Sequence, residues 1–216
     1  MKKMNKIILI SIISGIAIIA IIAGLLIPTS VNSSSEKHDS EILSVSYVDT
    51  NKDIQSQLAM QNIAMSSALK LNGFSIKTYC TFFADESIQN AIEYCTSTEL
   101  LDSDGRYLGN IHMVGVSDSP KYVIGVIQAD PVTSQLDDIK IIYQTMIESV
   151  VCDCWEAESP GGFESVSDWI DAAHSHHLEA KRTTSKSEIN GLAQKDLLLE
   201  INTNTEGYLW KFIVPN

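Results

Sequence analysis

Arg106–Ala129 reads RYLGNIHMVGVSDSPKYVIGVIQA, and this stretch decides the fold class. Two runs rich in β-branched and aromatic residues, Arg106–Val116 and Lys121–Ala129, flank Ser117-Asp118-Ser119-Pro120. Ser, Asp and Pro bend a chain locally, so the stretch predicts a hairpin and therefore antiparallel pairing. Immediately after it, Gln135–Val151 changes period. Leu136, Ile139, Ile142, Tyr143, Met146, Ile147, Val150 and Val151 recur at spacings of three and four, which builds a wide apolar stripe on a helix. Ser134 is placed to cap that helix, and Asp137 and Asp138 suit the positive end of its dipole. A helix with such a stripe must lie on a sheet. The predicted class is α+β, with a mainly antiparallel sheet flanked by helices.

Toward the N-terminus, Ile42–Val48 alternates and reads as a strand. Thr50-Asn51-Lys52-Asp53 resembles a capping box. It opens a helix through Ile54, Leu58, Gln61, Met65 and Leu69 that Asn72-Gly73 would end. Met60 and Met65 read as packing residues. Phe74–Cys80 alternates as a short strand, and Asp85 caps a helix running to about Cys95, with Cys95 on its apolar side. Toward the C-terminus, Pro160-Gly161-Gly162 is a loop, and Phe163, Val166, Trp169, Ile170 and Ala173 mark a helix that ends in His174, His176 and His177. Leu178–Thr184, Asp196–Asn202 (DLLLEIN) and Tyr208–Val214 (YLWKFIV) read as strands. The last is apolar on both faces, as expected of a central strand covered twice.

Residues 1–40 have a different character. Residues 1–6 are basic, carrying Lys2, Lys3 and Lys6. Ile7–Ile27 (IILISIISGIAIIAIIAGLLI) then runs 21 residues without a charge. As a helix it would extend roughly 31 Å, about the thickness of a bilayer core. Positive charge stays on the cytoplasmic side, which predicts a single-pass cell-membrane anchor with the N-terminus inside. The run is longer than a signal-peptide core, and its exit, Gly24-Leu25-Leu26-Ile27, has bulky residues where cleavage wants small ones. Residues 28–40 read as a polar tether. In it Asn32-Ser33-Ser34 fits the N-glycosylation acceptor pattern. Residues 41–216 are then one extracytoplasmic domain, long enough for a proper core.

All 27 acidic residues but only 12 of the 15 basic ones follow the anchor, leaving the outer part at about −15. A surface that acidic repels nucleic acid and anionic headgroups, so the expected partners are the bilayer, through Ile7–Ile27, and another membrane or envelope protein.

Cys80, Cys95, Cys152 and Cys154 are an even set in an exported domain, which points to disulfides. Cys152 and Cys154 are one residue apart, and a bond between them closes a tight ring. Parallel bridges from this pair to Cys80 and Cys95 are easier. A Cys80–Cys95 bridge with Cys152 and Cys154 left as a dithiol is the alternative. Three chemistries follow. A non-catalytic surface or accessory module needs only an anchor, a tether and a stapled domain. Cys152, Cys154, His174 and His177 are residue types that hold copper or zinc, although C-x-C is not finger spacing. Cys152-Asp153-Cys154 also fits thiol–disulfide exchange, yet Asp153 raises a neighbouring thiol pKa. His112, alone on a strand, reads as a half-buried or surface residue. Glu156, Glu158, Glu164, Asp168 and Asp171 crowd near Pro160 and suit paired-carboxylate chemistry only if correctly spaced. No G-x-S-x-G, H-E-x-x-H, P-loop or G-x-G-x-x-G occurs.

From about Ile111 to Val214 the pattern resembles the PsbP-like family of α/β/α sandwiches. The hairpin Ile111–Gln128, the helix after it, Ile189-Asn190-Gly191-Leu192, DLLLEIN and YLWKFIV carry the resemblance. It implies an extracytoplasmic, non-catalytic assembly or accessory module. Cys152-Asp153-Cys154-Trp155 departs from the family, and no site residue is carried over.

Overall fold

The hairpin forms the middle of a sheet in a computed structural model, which describes residues 46–129 and 135–216. In chain order, helix α1 (Tyr47–Met60) leads to short strands β1 (Ala64–Met65) and β2 (Leu69–Leu71), then to helices α2 (Gly73–Tyr79) and α3 (Glu86–Asn90). Strands β3 (Tyr94–Leu101), β4 (Tyr107–Gly115) and β5 (Pro120–Ala129) follow as a meander. Helices α4 (Leu136–Val150), α5 (Trp155–Glu158) and α6 (Val166–Glu179) come next, with a 3₁₀ turn at Pro160–Gly162 before α6. A second meander, β6 (Thr184–Leu192), β7 (Lys195–Asn204) and β8 (Gly207–Pro215), completes the chain.

The eight strands pair antiparallel in the order β1-β3-β4-β5-β8-β7-β6, with β2 also on β3. The two meanders join where β8 lies against β5, from Tyr122 opposite Pro215 to Ala129 opposite Tyr208. YLWKFIV is therefore the central strand that its two apolar faces predict. Trp210 and Phe212 point to one side and Ile213 to the other, and all three are buried.

The side that receives Trp210 and Phe212 is the larger core. Ile54 and Leu58 of α1, Ile139, Ile142, Tyr143, Met146 and Ile147 of α4, and Trp169 and Ile170 of α6 pack there. Gly125 on β5 lets α4 approach closely, since a Cβ there would sit 2.9 Å from both Met146 Sδ and Tyr143 Cε1. On the opposite face Cys95, Val114, Ile124 and Ile213 are covered by Ile76, Cys80, Phe82, Phe83 and Ile92. That thinner layer comes from α2, α3 and the chain around them.

Several local expectations are corrected. Tyr47 and Val48 belong to α1 rather than to a strand Ile42–Val48, because Ser46 caps the helix by accepting from the Asp49 N–H at 3.1 Å. Helix α1 stops at Met60 instead of continuing to Asn72. Asn62 turns the chain with φ +62°, and Met65 pairs opposite Leu100. Phe74–Cys80 is helical, and Ile76 and Cys80, four apart, share its buried face. Asp85 does cap a helix, accepting from Ser87 and Ile88, but that helix ends at Asn90 and Cys95 lies on β3. Helix α6 runs through the three histidines to Glu179, so Leu178–Thr184 is not a strand. Asn32, the anchor Ile7–Ile27, the tether and Ser134 lie outside the described residues. Among those described, no helix is long and apolar enough to cross a membrane.

Candidate functional site

One cysteine pair ties two elements together, and the other lies within a single turn. Cys80 takes the C-cap position of α2, and Cys95 is the second residue of β3. Their Cα atoms are 6.7 Å apart, and the two are joined as a disulfide. Both are fully buried. Cys152 and Cys154, in the turn between α4 and α5, stand at disulfide distance of each other with Cα atoms 5.2 Å apart. This corrects the expected bridging between the two pairs; the alternative holds for its Cys80–Cys95 bridge and is corrected only where it leaves Cys152 and Cys154 as a dithiol. The reason is topological. Cys80 and Cys95 sit under the α2–α3 layer, whereas Cys152 and Cys154 pack against the core on the other face of the sheet. No bridge can pass through the sheet.

Beside the first pair lies a residue that sequence reading set aside. His112 on β4 stands opposite Ser97 of β3, one diagonal step from Cys95, which stands opposite Val114. Alternation puts His112 and Cys95 on one face. One ligand atom from each of Cys80, Cys95 and His112 lies within 4.8 Å of the others, the sole such group of three or more among the described residues. His112 is 9% exposed, and its Nδ1 has no hydrogen-bond partner there. The Phe82 ring covers the imidazole at 4.7 Å. Burial pulls the His112 pKa down to about 4, against which the Thr96 backbone works only in part.

The four residues proposed from sequence as a copper or zinc set do not form such a group. Cys152 and Cys154 are bonded to each other. His177, buried on α6, is held by both ring nitrogens, Nδ1 to Ser185 Oγ and Nε2 to Thr203 Oγ1, each at 2.8 Å. His174 is buried too and packs its ring on Tyr208 and Trp210. Helix α6 thus spends both histidines on packing against β6, β7 and β8. Burial lowers the pKa of each, and for His177 the neighbouring His174 and His176 add to the effect.

The acidic residues near Pro160 are also accounted for. Asp168 closes a capping box with Ser165, and Asp171 pairs with Lys140 Nζ at 2.7 Å. Glu156, Glu158 and Glu164 face solvent. Another carboxylate is more deeply held. Burial pushes the Glu200 carboxyl up, but hydrogen bonds and charge from Lys186 and Lys211 outweigh it and keep its pKa below the ordinary value. Cys152 and Asp153 border a cleft of about 300 Å³ with Gln144, Glu148, Trp155 and Glu156.

No protein-family model matches the chain, and neither a curated protein nor a solved structure does. The PsbP-like resemblance gains nothing from these comparisons and assigns no residue a role.

Proposed function

We propose that the chain is a membrane-anchored accessory module, held in the lipid by Ile7–Ile27 and displaying a disulfide-stabilised α+β domain outside the cell, where it recognises or stabilises another envelope protein without catalysis. The observation that carries this reading is that all four cysteines lie in disulfide pairs within the domain. Such pairing persists in oxidising compartments and is rare in the cytosol. The charge pattern around Ile7–Ile27 supports the same side of the membrane. Phe74, 82% exposed on α2, and Leu69 on β2 offer apolar surface for a protein partner. The test has two arms. Protease added to intact cells should remove the domain, and a photo-crosslinker at position 74 should trap one discrete envelope protein. A domain shielded from protease, or adducts only to lipid, would rule the reading out.

A second reading is thiol–disulfide exchange at Cys152–Cys154. It is favoured by exposure, since this pair is half-buried beside the cleft while Cys80 and Cys95 are fully buried. A pair of this kind is reduced by a glutathione buffer before the buried pair is. Equal resistance of both pairs would remove it.

A further inference from the structure

We propose that Cys80, Cys95 and His112, once the bridge between the cysteines is reduced, form a buried three-ligand site for Cu(I). The geometry is already assembled, with two sulfurs and an imidazole nitrogen within 4.8 Å of one another. Three different elements supply them: Cys80 the end of α2, Cys95 β3, and His112 β4. The sheet register fixes two of the three, so reduction frees the sulfurs without dispersing the set. His112 Nδ1 is a buried polar atom with no partner among the described residues, and such an atom costs free energy unless it is given one. A bound cation supplies the missing partner.

The choice of ion follows from the donors and the walls. Thiolate is a soft ligand that selects Cu(I) and zinc over hard cations. Zinc in a protein-only site takes four ligands, and among the described residues no fourth Cys, His, Asp or Glu joins this group. The surrounding side chains, Ile76, Val114, Ile124, Ile213 and Phe82, are apolar. A dry trigonal site of two sulfurs and one nitrogen suits Cu(I) better than zinc.

Reduction needs a co-reactant, and an external dithiol fills that role. One of its thiolates attacks a bridge sulfur, its second thiol resolves the mixed disulfide, and Cys80 and Cys95 leave as thiols while the reagent becomes a disulfide. Two electrons and two protons pass to the protein. Cu(I) then displaces the thiol protons to solvent without changing its own oxidation state. Access comes through the covering layer. Helices α2 and α3 are seven and five residues long, and α2 has no side-chain cap. Short segments with little buried surface, such as these, open locally ahead of the rest of a domain. Oxidation of the pair closes the site again, so loading is gated by redox state.

The experiment uses the full-length chain in mild detergent, carrying Cys152→Ser and Cys154→Ser so that only one cysteine pair can respond. The protein is reduced with a phosphine, desalted under argon and titrated with Cu(I) buffered by a chromophoric chelator. The reduced chain should take up one copper, X-ray absorption should report two sulfurs and one nitrogen around it, and the oxidised chain should take up none. His112→Gln should weaken binding by at least about tenfold, since even residues that only support a metal ligand are worth that much. Three results would each overturn the proposal: no copper uptake by the reduced chain, a copper shell without nitrogen, or loss of the fold on reduction. The last would leave the pair as a staple alone.

Discussion

Tyr143 shows how a single atom can work against its surroundings. Its ring, on α4, is fully buried against β5 and β8 and packs on Phe212 at 4.9 Å, yet its hydroxyl has no partner among the described residues. A buried hydroxyl left unpaired costs about 1–3 kcal/mol, while the ring supplies the packing. Tyr143→Phe is therefore expected to stabilise the domain by about 1 kcal/mol, read as a higher urea midpoint at unchanged slope. A lower midpoint would mean that the hydroxyl is satisfied after all. His177 makes the opposite case, with both ring nitrogens engaged and its pKa depressed below the ordinary value of about 6.5 by burial. A histidine with a depressed folded pKa stays neutral in the native state while the unfolded chain takes up a proton. Its contribution is fully present above about pH 6.5 and is lost as pH falls through that value toward the folded one. Unfolding free energy should therefore drop between pH 7.5 and pH 5, and His177→Asn should shrink that drop. An unchanged slope in the variant would assign the acid sensitivity elsewhere.

Between elements, closeness and connectivity decide. Gly109 on β4 lies so near β5 that a Cβ would fall 2.1 Å from the Val126 carbonyl oxygen, a backbone atom that cannot swing aside. Gly109→Ala should cost about 3 kcal/mol, at the upper end for overpacking, because the strands themselves must part. A midpoint within error of the parent would show that the pair can spread at no cost. The two bridges should differ just as clearly. Cys80–Cys95 closes a 15-residue separation, which in the chain-entropy picture constrains the unfolded chain by about 3 kcal/mol. Cys152–Cys154 spans a separation of 2 and constrains almost nothing. Replacing the first pair with serine should lower stability by about 3 kcal/mol and replacing the second by under about 1 kcal/mol. Comparable losses would show that strain or packing outweighs loop closure. The same elements explain what the sequence disclosed. Gln135–Val151 and YLWKFIV were legible because long stripes and doubly apolar strands leave little choice of period. Phe74–Cys80 misled because its alternating Phe74, Ile76, Thr78 and Cys80 also place Ile76 and Cys80 four apart, on one helical face. Strand β3 went unread, and with it the neighbourhood of Cys95 and His112. That neighbourhood is set by register between β3 and β4, a quantity no local spacing carries.

At the scale of the whole molecule, the last strand is the keystone. The first meander ends at β5 and the second begins at the far edge with β6, so the sheet is continuous only through β8. Every ladder contact between the halves pairs residues far apart in sequence, as Tyr122 with Pro215, and such pairing is slow because loop closure precedes its reward. Trp210 and Phe212 on β8 also fill the core beneath α4 and α6, where Trp169 meets Phe212 edge to face. Removing residues 207–216 would leave the β3–β4–β5 meander and a separate two-stranded β6–β7 hairpin, with β5 and β7 as new raw edges and the helices deprived of their floor. Such a chain should lose cooperative unfolding altogether, whereas removing the C-terminal Asn216 alone should cost little. The domain would then acquire its fold only once residues 207–216 are free to pair with β5 and β7. Pulsed proteolysis of chains arrested at increasing lengths tests this directly. Protection should appear in one step, between a chain ending near residue 206 and the full length. Protease-resistant material from chains ending before Gly207 would show that the first meander and its helices stand without β8.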